Sequence, residues 1–357
     1  SRYEGQMNVK TMTMEGKGSL IYPDGSTYEG MFRTNMPNGE GVMKLASGEV
    51  RRGEFLHGEL QGKGLIEWSN GTRYEGELQG GKPHGQGKFE WPNDALYEGA
   101  FAGGLQQGKG KLVYSNGDTY EGDFLGGHPH GIGIYRFISG DVYEGAYVSG
   151  QRHGQGRMTY QSGNVSEGEW KQGDLHGKCR FESQNDTYEG ECISGQYFGY
   201  GRLEQRARGE VYEGEFRDGY YDGKGKLVGR DSVYEGAFRR GMKEGIGKEV
   251  FSDGSEYEGS FTQNLRHGRG VMKAKTLDGQ DIIYDGELSS GVLDGSGVLT
   301  VGSRRLEGQF QGGFFVQGRI SEEGRTFEID IEEGKFLEIL PDGTKQPLDQ
   351  LPLELGI

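Results

Sequence analysis

The sequence predicts an all-β chain, an elongated single-layer antiparallel meander of about 15 β-hairpins. Three observations carry that expectation. Glycine supplies 70 of the 357 residues, against a usual share of ~7%. The triplet Tyr-Glu-Gly recurs, most often at a spacing of 23 residues. Around each triplet, apolar and polar residues alternate with period two, which marks a half-buried strand.

The triplet starts at Tyr3, Tyr28, Tyr74, Tyr97, Tyr120, Tyr143, Tyr188, Tyr212, Tyr234 and Tyr257, and a Tyr-Asp-Gly variant starts at Tyr284. Weaker copies start at Arg51, Ser166, Leu306 and Phe327. The units fill residues 1–343, leaving a tail over 344–357, and an insertion around Lys273 to Asp281 makes the longest step. Glycine follows no strict triplet, which excludes collagen. The 20 Tyr and 17 Phe exclude a disordered chain, since such chains are poor in aromatics.

Counting each unit from its aromatic as position 1, the unit from Tyr74 reads YEGELQGGKPHGQGKFEWPNDAL. Positions 1, 3 and 5 alternate with polar 2 and 4, and positions 12, 14, 16 and 18 do the same. Matching the faces pairs position 5 with 14, 3 with 16 and 1 with 18, with a loop over positions 8 to 11, Gly81 to His84. A ring at position 5 then covers the glycine at 14, as Leu78 would cover Gly87. Position 4 faces 15, giving Glu77–Lys88, Glu169–Arg180, Glu191–Arg202 and Glu215–Lys226 as cross-strand charge pairs. Position 1 of each unit pairs with position 18 of the unit before it. Cys179 at position 14 and Cys192 at position 5 of the next unit become neighbours across a turn at Asn185–Asp186, and an intracellular setting predicts reduced thiols.

Composition narrows the function. The net charge is −15 and no basic stripe is present, so nucleic acid is excluded as a partner and an anionic membrane repels the chain on average. Two cysteines make no secreted disulfide framework. No apolar run reaches the ~18 residues of a membrane helix, and the N-terminal residues show no signal-peptide pattern. A soluble cytoplasmic protein is the expectation. His84, His130, His153, His176 and His267 share position 11. Equivalent positions lie two strands apart, ~9.6 Å, whereas zinc ligands sit ~2.0–2.3 Å from one ion, so a turn role is expected and no metal. Glutamates repeat at position 2, and a periodic row supplies no single perturbed acid/base pair. No catalytic residue and no cofactor is therefore expected.

Aromatic-Glu-Gly-x-apolar followed by His-Gly-x-Gly resembles the MORN (membrane occupation and recognition nexus) repeat, from Tyr3 to about Gly343. The number of units and the lack of another domain are most similar to the cytoskeletal members of that family in kinetoplastid and apicomplexan protists. This resemblance implies a non-enzymatic scaffold that self-associates through its C-terminal repeats and is cytoskeleton-associated, at the flagellar base or the basal complex. Axonemal radial-spoke scaffolds of the family are the second implied class. A phosphoinositide-binding membrane adaptor is the third.

Two surfaces follow. Tyr97, Phe101, Tyr120, Phe124, Tyr143, Tyr147, Tyr212, Phe216, Tyr234 and Phe238 line one face, either as a thin core or as a groove for a cytoskeletal protein or helical peptide. Phe310, Phe314, Phe315, Phe327, Ile329 and Ile331 form an apolar C-terminal patch, expected to join two copies as a homodimer. The tail from Lys345, with Leu348, Leu351, Leu353, Leu355 and Ile357, is the alternative cover for that end.

Overall fold

Two adjacent residues with positive φ reverse a chain in the tightest hairpin turn, whose twist matches that of the strands it joins. Gly80 and Gly81 have φ of 58° and 70°, and they close the hairpin formed by Arg73–Gln79 and Lys82–Glu90. The computed structural model describes residues 1–350. Among the described residues there are 31 strands and no helix. The chain divides into two compact units, Ser1–Gly177 and Lys178–Ile357. Within each, successive strands pair antiparallel in sequence order.

The register differs from the one the faces suggest. Tyr74 pairs with Phe89, Glu75 with Lys88 and Gly76 with Gly87, then Leu78 with Pro83 and Gln79 with Lys82. Position 1 therefore meets 16, 2 meets 15 and 3 meets 14. The turn is the two residues at positions 7 and 8, and not positions 8 to 11. Three residues, His84 to Gln86, bulge opposite the single residue Glu77. Gly85 at the centre of the bulge has φ of 61°, so its glycine serves a left-handed backbone and not a strand face. Alternation at positions 12 to 18 is indifferent to two extra residues, which is why the slip left every face correct.

The bulge also reassigns the acid at position 4. The Glu77 carboxylate accepts the amide N–H of Gln86 at 3.3 Å, and Asp123, Glu215 and Glu287 accept those of Ile132, Lys224 and Ser296 at 3.1–3.2 Å. These acids cap bulge amides on the side where the hairpin register is interrupted. The expected pairs Glu77–Lys88, Glu191–Arg202 and Glu215–Lys226 are replaced by Glu75–Lys88, Glu189–Arg202 and Glu213–Lys226. Arg180, placed opposite Glu169 by the sequence, has its guanidinium 3.4 Å from Glu189.

Between hairpins, Tyr97 pairs with Phe89 and Glu98 with Lys88, so position 1 meets 16 of the preceding unit and not 18. Each position-2 acid is thus flanked by position-15 residues on both sides. In the second unit the order Arg202, Glu213, Lys226, Glu235, Lys248, Glu258 runs strand by strand with alternating sign. Exposed pairs of this kind contribute little singly, ~0.2–1 kcal/mol, but a slip of one strand position sets every charge wrong, so the ladder helps fix register. The insertion at Lys273–Asp281 lengthens Leu265–Lys275 and Asp281–Ser289, closed by Thr276 N–H donating to Gln280 O at 2.9 Å.

The cysteines are neighbours, with Cα atoms 6.1 Å apart, inside the ~4.4–6.8 Å span a disulfide accepts. A disulfide joins them, in place of the expected free thiols. The turn before Cys192 is closed by Ser183 N–H donating to Asp186 O at 2.8 Å, so its tip is Gln184–Asn185, one residue earlier than expected. At the C-terminal end, Lys345–Leu348 adds a strand beside Lys335–Ile339. Leu351, Leu353, Leu355 and Ile357 lie outside the described residues.

Two measurements check this architecture. Intact mass of the non-reduced chain under denaturing alkylation should show no modifiable thiol, and two after reduction. Gly110→Ala would set a methyl 2.5 Å from Cε2 and Cζ of the Tyr97 ring. It should lower stability by roughly 1–3 kcal/mol, read as an earlier denaturant midpoint.

Candidate binding surface

A glycine pair gives a tyrosine a flat floor. Gly99 and Gly110 oppose each other across the hairpin from Tyr97. A Cβ at Gly99 would stand 2.5 Å from the Gly110 Cα, so the two backbones are close because neither carries a side chain. The Tyr97 ring lies across both. Its hydroxyl donates to Ala100 O at 2.9 Å, a carbonyl at the mouth of the bulge. Tyr28, Tyr74, Tyr120, Tyr143, Tyr188, Tyr212, Tyr234, Tyr257 and Tyr284 each make the same bond to the residue three further on. The ring over the position-14 glycine is thus the position-1 tyrosine, and not the residue at position 5.

Position 5 supplies the next contact. Phe101 meets Tyr97 edge to face at 5.0 Å and Tyr74 of the preceding unit at 5.1 Å, and Tyr97 in turn meets Phe124 at 4.9 Å. The same zigzag links Tyr120, Tyr147, Tyr143 and Trp170 in the first unit, and Tyr212, Phe238, Tyr234 and Phe261 in the second. Edge-to-face rings at these separations add ~0.5–1.5 kcal/mol per pair beyond burial. Position 10 closes the stack from above. Tyr197 lies on Tyr188 at 3.8 Å and Tyr221 on Tyr212 at 3.7 Å, both nearly parallel. Arg152 and Lys243 use cations over Tyr143 and Tyr234. Lys243 also pairs with Glu249, a buried carboxylate that Ser232 Oγ reaches at 3.0 Å.

All ten residues of the aromatic face are therefore interior. Tyr97, Phe101, Tyr120, Phe124, Tyr143, Tyr147, Tyr212, Phe216, Tyr234 and Phe238 are at most 4% exposed, each occupied by its neighbours in the zigzag. Of the C-terminal patch, Phe310, Phe315, Phe327 and Ile329 are buried, whereas Phe314 and Ile331 are 72% and 43% exposed. Phe314 borders a cleft of about 690 Å³ that also touches Leu299, Val301, Leu306, Phe310 and Phe315. Among the described residues, no cluster of three or more His, Cys, Asp or Glu is placed to hold a metal ion. No described helix is long and apolar enough to cross a membrane.

What the sequence reading missed is the turn edge. Positions 6 and 9 face each other beside each turn, as Ala102 does Leu105 and Leu125 does His128. In most hairpins one of the two is apolar and exposed, as with Met36, Leu56, Leu105, Leu125 and Val148 in the first unit. Neither position alone is apolar throughout, so no single column of the repeat shows the row. Only the true register, which makes 6 and 9 a pair, reveals it.

A hairpin built on a tyrosine seated over paired glycines, and repeated along the chain, defines a glycine–aromatic β-hairpin repeat protein. The MORN repeat family model matches residues 13–27, 28–50, 52–73, 74–95, 97–119, 120–142, 143–165, 167–187, 212–232, 234–256, 257–276 and 284–300. The chain belongs to the MORN-repeat family, whose repeats are in general non-catalytic interaction modules. No curated protein matches the full sequence. The chain is similar to the TCP10c domain of Drosophila melanogaster Sas-4 at 12% identity, over 40% of this chain and 85% of that one, with a TM-score of 0.24. It is similar to an inactive virginiamycin B lyase from Staphylococcus aureus at 12% identity, over 90% and 88% of the two chains, with a TM-score of 0.14. Scores this low carry no argument about fold or function.

Burial pushes the Tyr97 hydroxyl up to about 12, and those of Tyr74 and Tyr143 to about 12 as well. A folded value above the unfolded one means that the native state keeps its proton longer. These tyrosines thus contribute stability that is intact below pH ~10 and lost as pH rises through ~12. Tyrosinate absorbance should rise only partly near pH ~10, the ordinary value for a phenol. The remainder should appear together with loss of the β signal at higher pH.

Proposed function

We propose that this chain is a non-enzymatic scaffold that self-associates through its C-terminal hairpins and organises a cytoskeletal complex in the cytoplasm, at the flagellar base or basal complex. The observation that carries the self-association is Phe314. A large aromatic on a turn edge, 72% exposed beside a cleft of mixed lining that includes Leu299, Val301 and Leu306, is costly in water, and burying it in a second surface is worth ~1.5–3 kcal/mol. Because the knob and the cleft lie side by side, two copies related by a two-fold axis would fill each other's clefts, and such a contact closes on itself. Repeats matched along most of the chain support the scaffold reading, since they supply a display surface and the family in general is an interaction module.

Light scattering tests this directly. The full chain should be a dimer at micromolar concentration, and Phe314→Ser should be a monomer of unchanged β content. Phe314 is the informative site because Phe315, 2% exposed, is core and its loss would confound association with stability. A monomeric full-length chain ends the proposal. A dimer that survives Phe314→Ser moves the interface elsewhere.

A further inference from the structure

In the second unit, five consecutive turns before the Phe314 hairpin each present one exposed apolar side chain from the same cross-strand pair: Ile193, Tyr220, Met242, Leu265 and Val292. Scattered exposed apolar residues are ordinary. Five from the same cross-strand pair in succession form a line, and apolar surface of this kind marks contact sites. The row is held in place. Each turn hydrogen-bonds to the hairpin before it, as in Gly219 N–H to Tyr197 O at 3.0 Å, Gly241 N–H to Tyr221 O at 2.8 Å and Gly291 N–H to Arg266 O at 2.8 Å. Asp222 and Glu244 accept further amides from the turns that follow them, those of Arg240 and Gln263.

We infer that this turn edge docks an acidic amphipathic α-helix of a partner protein, an inference that rests on the scaffold reading and names its binding surface. Two features select that occupant. The first is spacing. Equivalent side chains on successive hairpins lie two strands apart, ~9.6 Å, and the path along the margin of a twisted sheet is longer than along its midline. One heptad of helix advances ~10.5 Å, so a helix with one apolar residue in seven matches the row. Small turn residues such as Gly195, Gly219, Gly241 and Gly291 let its backbone come close. The second is charge. The chain as a whole carries −15, yet the residues of these five turns include Arg217, Arg239 and Arg240 against Asp218, while the neighbouring Asp222 and Glu244 are engaged by turn amides. Arg217 is 3.6 Å from Asp222. Arg239 and Arg240 make no ion pair among the described residues, so their charges are open to a carboxylate-bearing partner. A bilayer would press on the whole margin, including Asp218, Asp222 and Glu244, whereas a helix engages a line one side chain wide.

The test uses the full chain and a fluorescein-labelled synthetic helix of about five heptads, with leucine at every seventh position and glutamates flanking it. The chain should bind this peptide. Met242→Ser/Leu265→Ser should weaken binding by about tenfold or more. Arg239→Glu/Arg240→Glu should weaken it too, and should weaken a lysine-flanked version of the peptide less or not at all. All four positions are exposed turn-edge sites, and circular dichroism checks that the variants stay folded. No binding by the wild-type chain, or binding indifferent to both double variants, overturns the inference. So does retention on phosphatidylcholine–phosphatidylserine vesicles that is lost in Met242→Ser/Leu265→Ser without any peptide binding, which would assign the row to a lipid surface. Light scattering on the same samples separates this surface from self-association: the serine variant should keep the wild-type oligomeric state, and a changed state overturns a distinct docking row.

Discussion

A tyrosine ring resting on two facing glycines is the contact on which the other features depend. A methyl group on either glycine would meet the ring or the opposing backbone, so the pair has to be bare. With the pair bare, the ring sits low enough for its hydroxyl to reach the carbonyl at the mouth of the bulge. That carbonyl lies beside the interrupted stretch of the hairpin register, and a buried polar group left unpaired is expensive. The tyrosine therefore settles a packing demand and a hydrogen-bonding demand at once, which a phenylalanine would not. The bulge needs its own left-handed glycine, and in several units a Glu or Asp at position 4 caps its amide. High glycine content and high tyrosine content are one requirement seen from two sides.

Units that lack the tyrosine show what takes its place. The unit beginning at Ser166 has no ring at position 1, and its position 14 is Cys179, where the next unit carries Gly201. The thiol there is bonded to Cys192, which stands where the following unit would put its edge-to-face ring. In the unit from Tyr234, Glu249 occupies the position that its neighbours fill with Leu or Met. Its charge is met by Lys243 in the lid position. In these two units the departure from the pattern is matched by a second one in contact with it.

The period, the hairpins and the identity of the inner face were all legible in the sequence, because periodicity and alternation depend only on which residues recur at which offsets. Register was not. The bulge at His84–Gln86 adds two residues to one strand, and an even number preserves the alternation from which faces are read. The error was therefore invisible to any argument about faces, and it passed directly into the assignment of Glu77 to Lys88. The opposite signs at positions 4 and 15 were present, but the acid that truly meets position 15 is the equally regular Glu75. The same slip hid the turn edge, since residues 6 and 9 become partners only when the turn shrinks to two residues.

The ties that hold each turn run to the hairpin made just before it, as Gly219 is tied to Tyr197 and Gly241 to Tyr221. Within either unit, the backbone ties of a turn are therefore to chain already made, and the ring that closes a hairpin comes with the next one. A polypeptide emerging from a ribosome supplies its residues in that same order. Each new hairpin can dock on a finished template as it appears, with no distant segment to wait for, so the array is suited to being laid down one course at a time during synthesis.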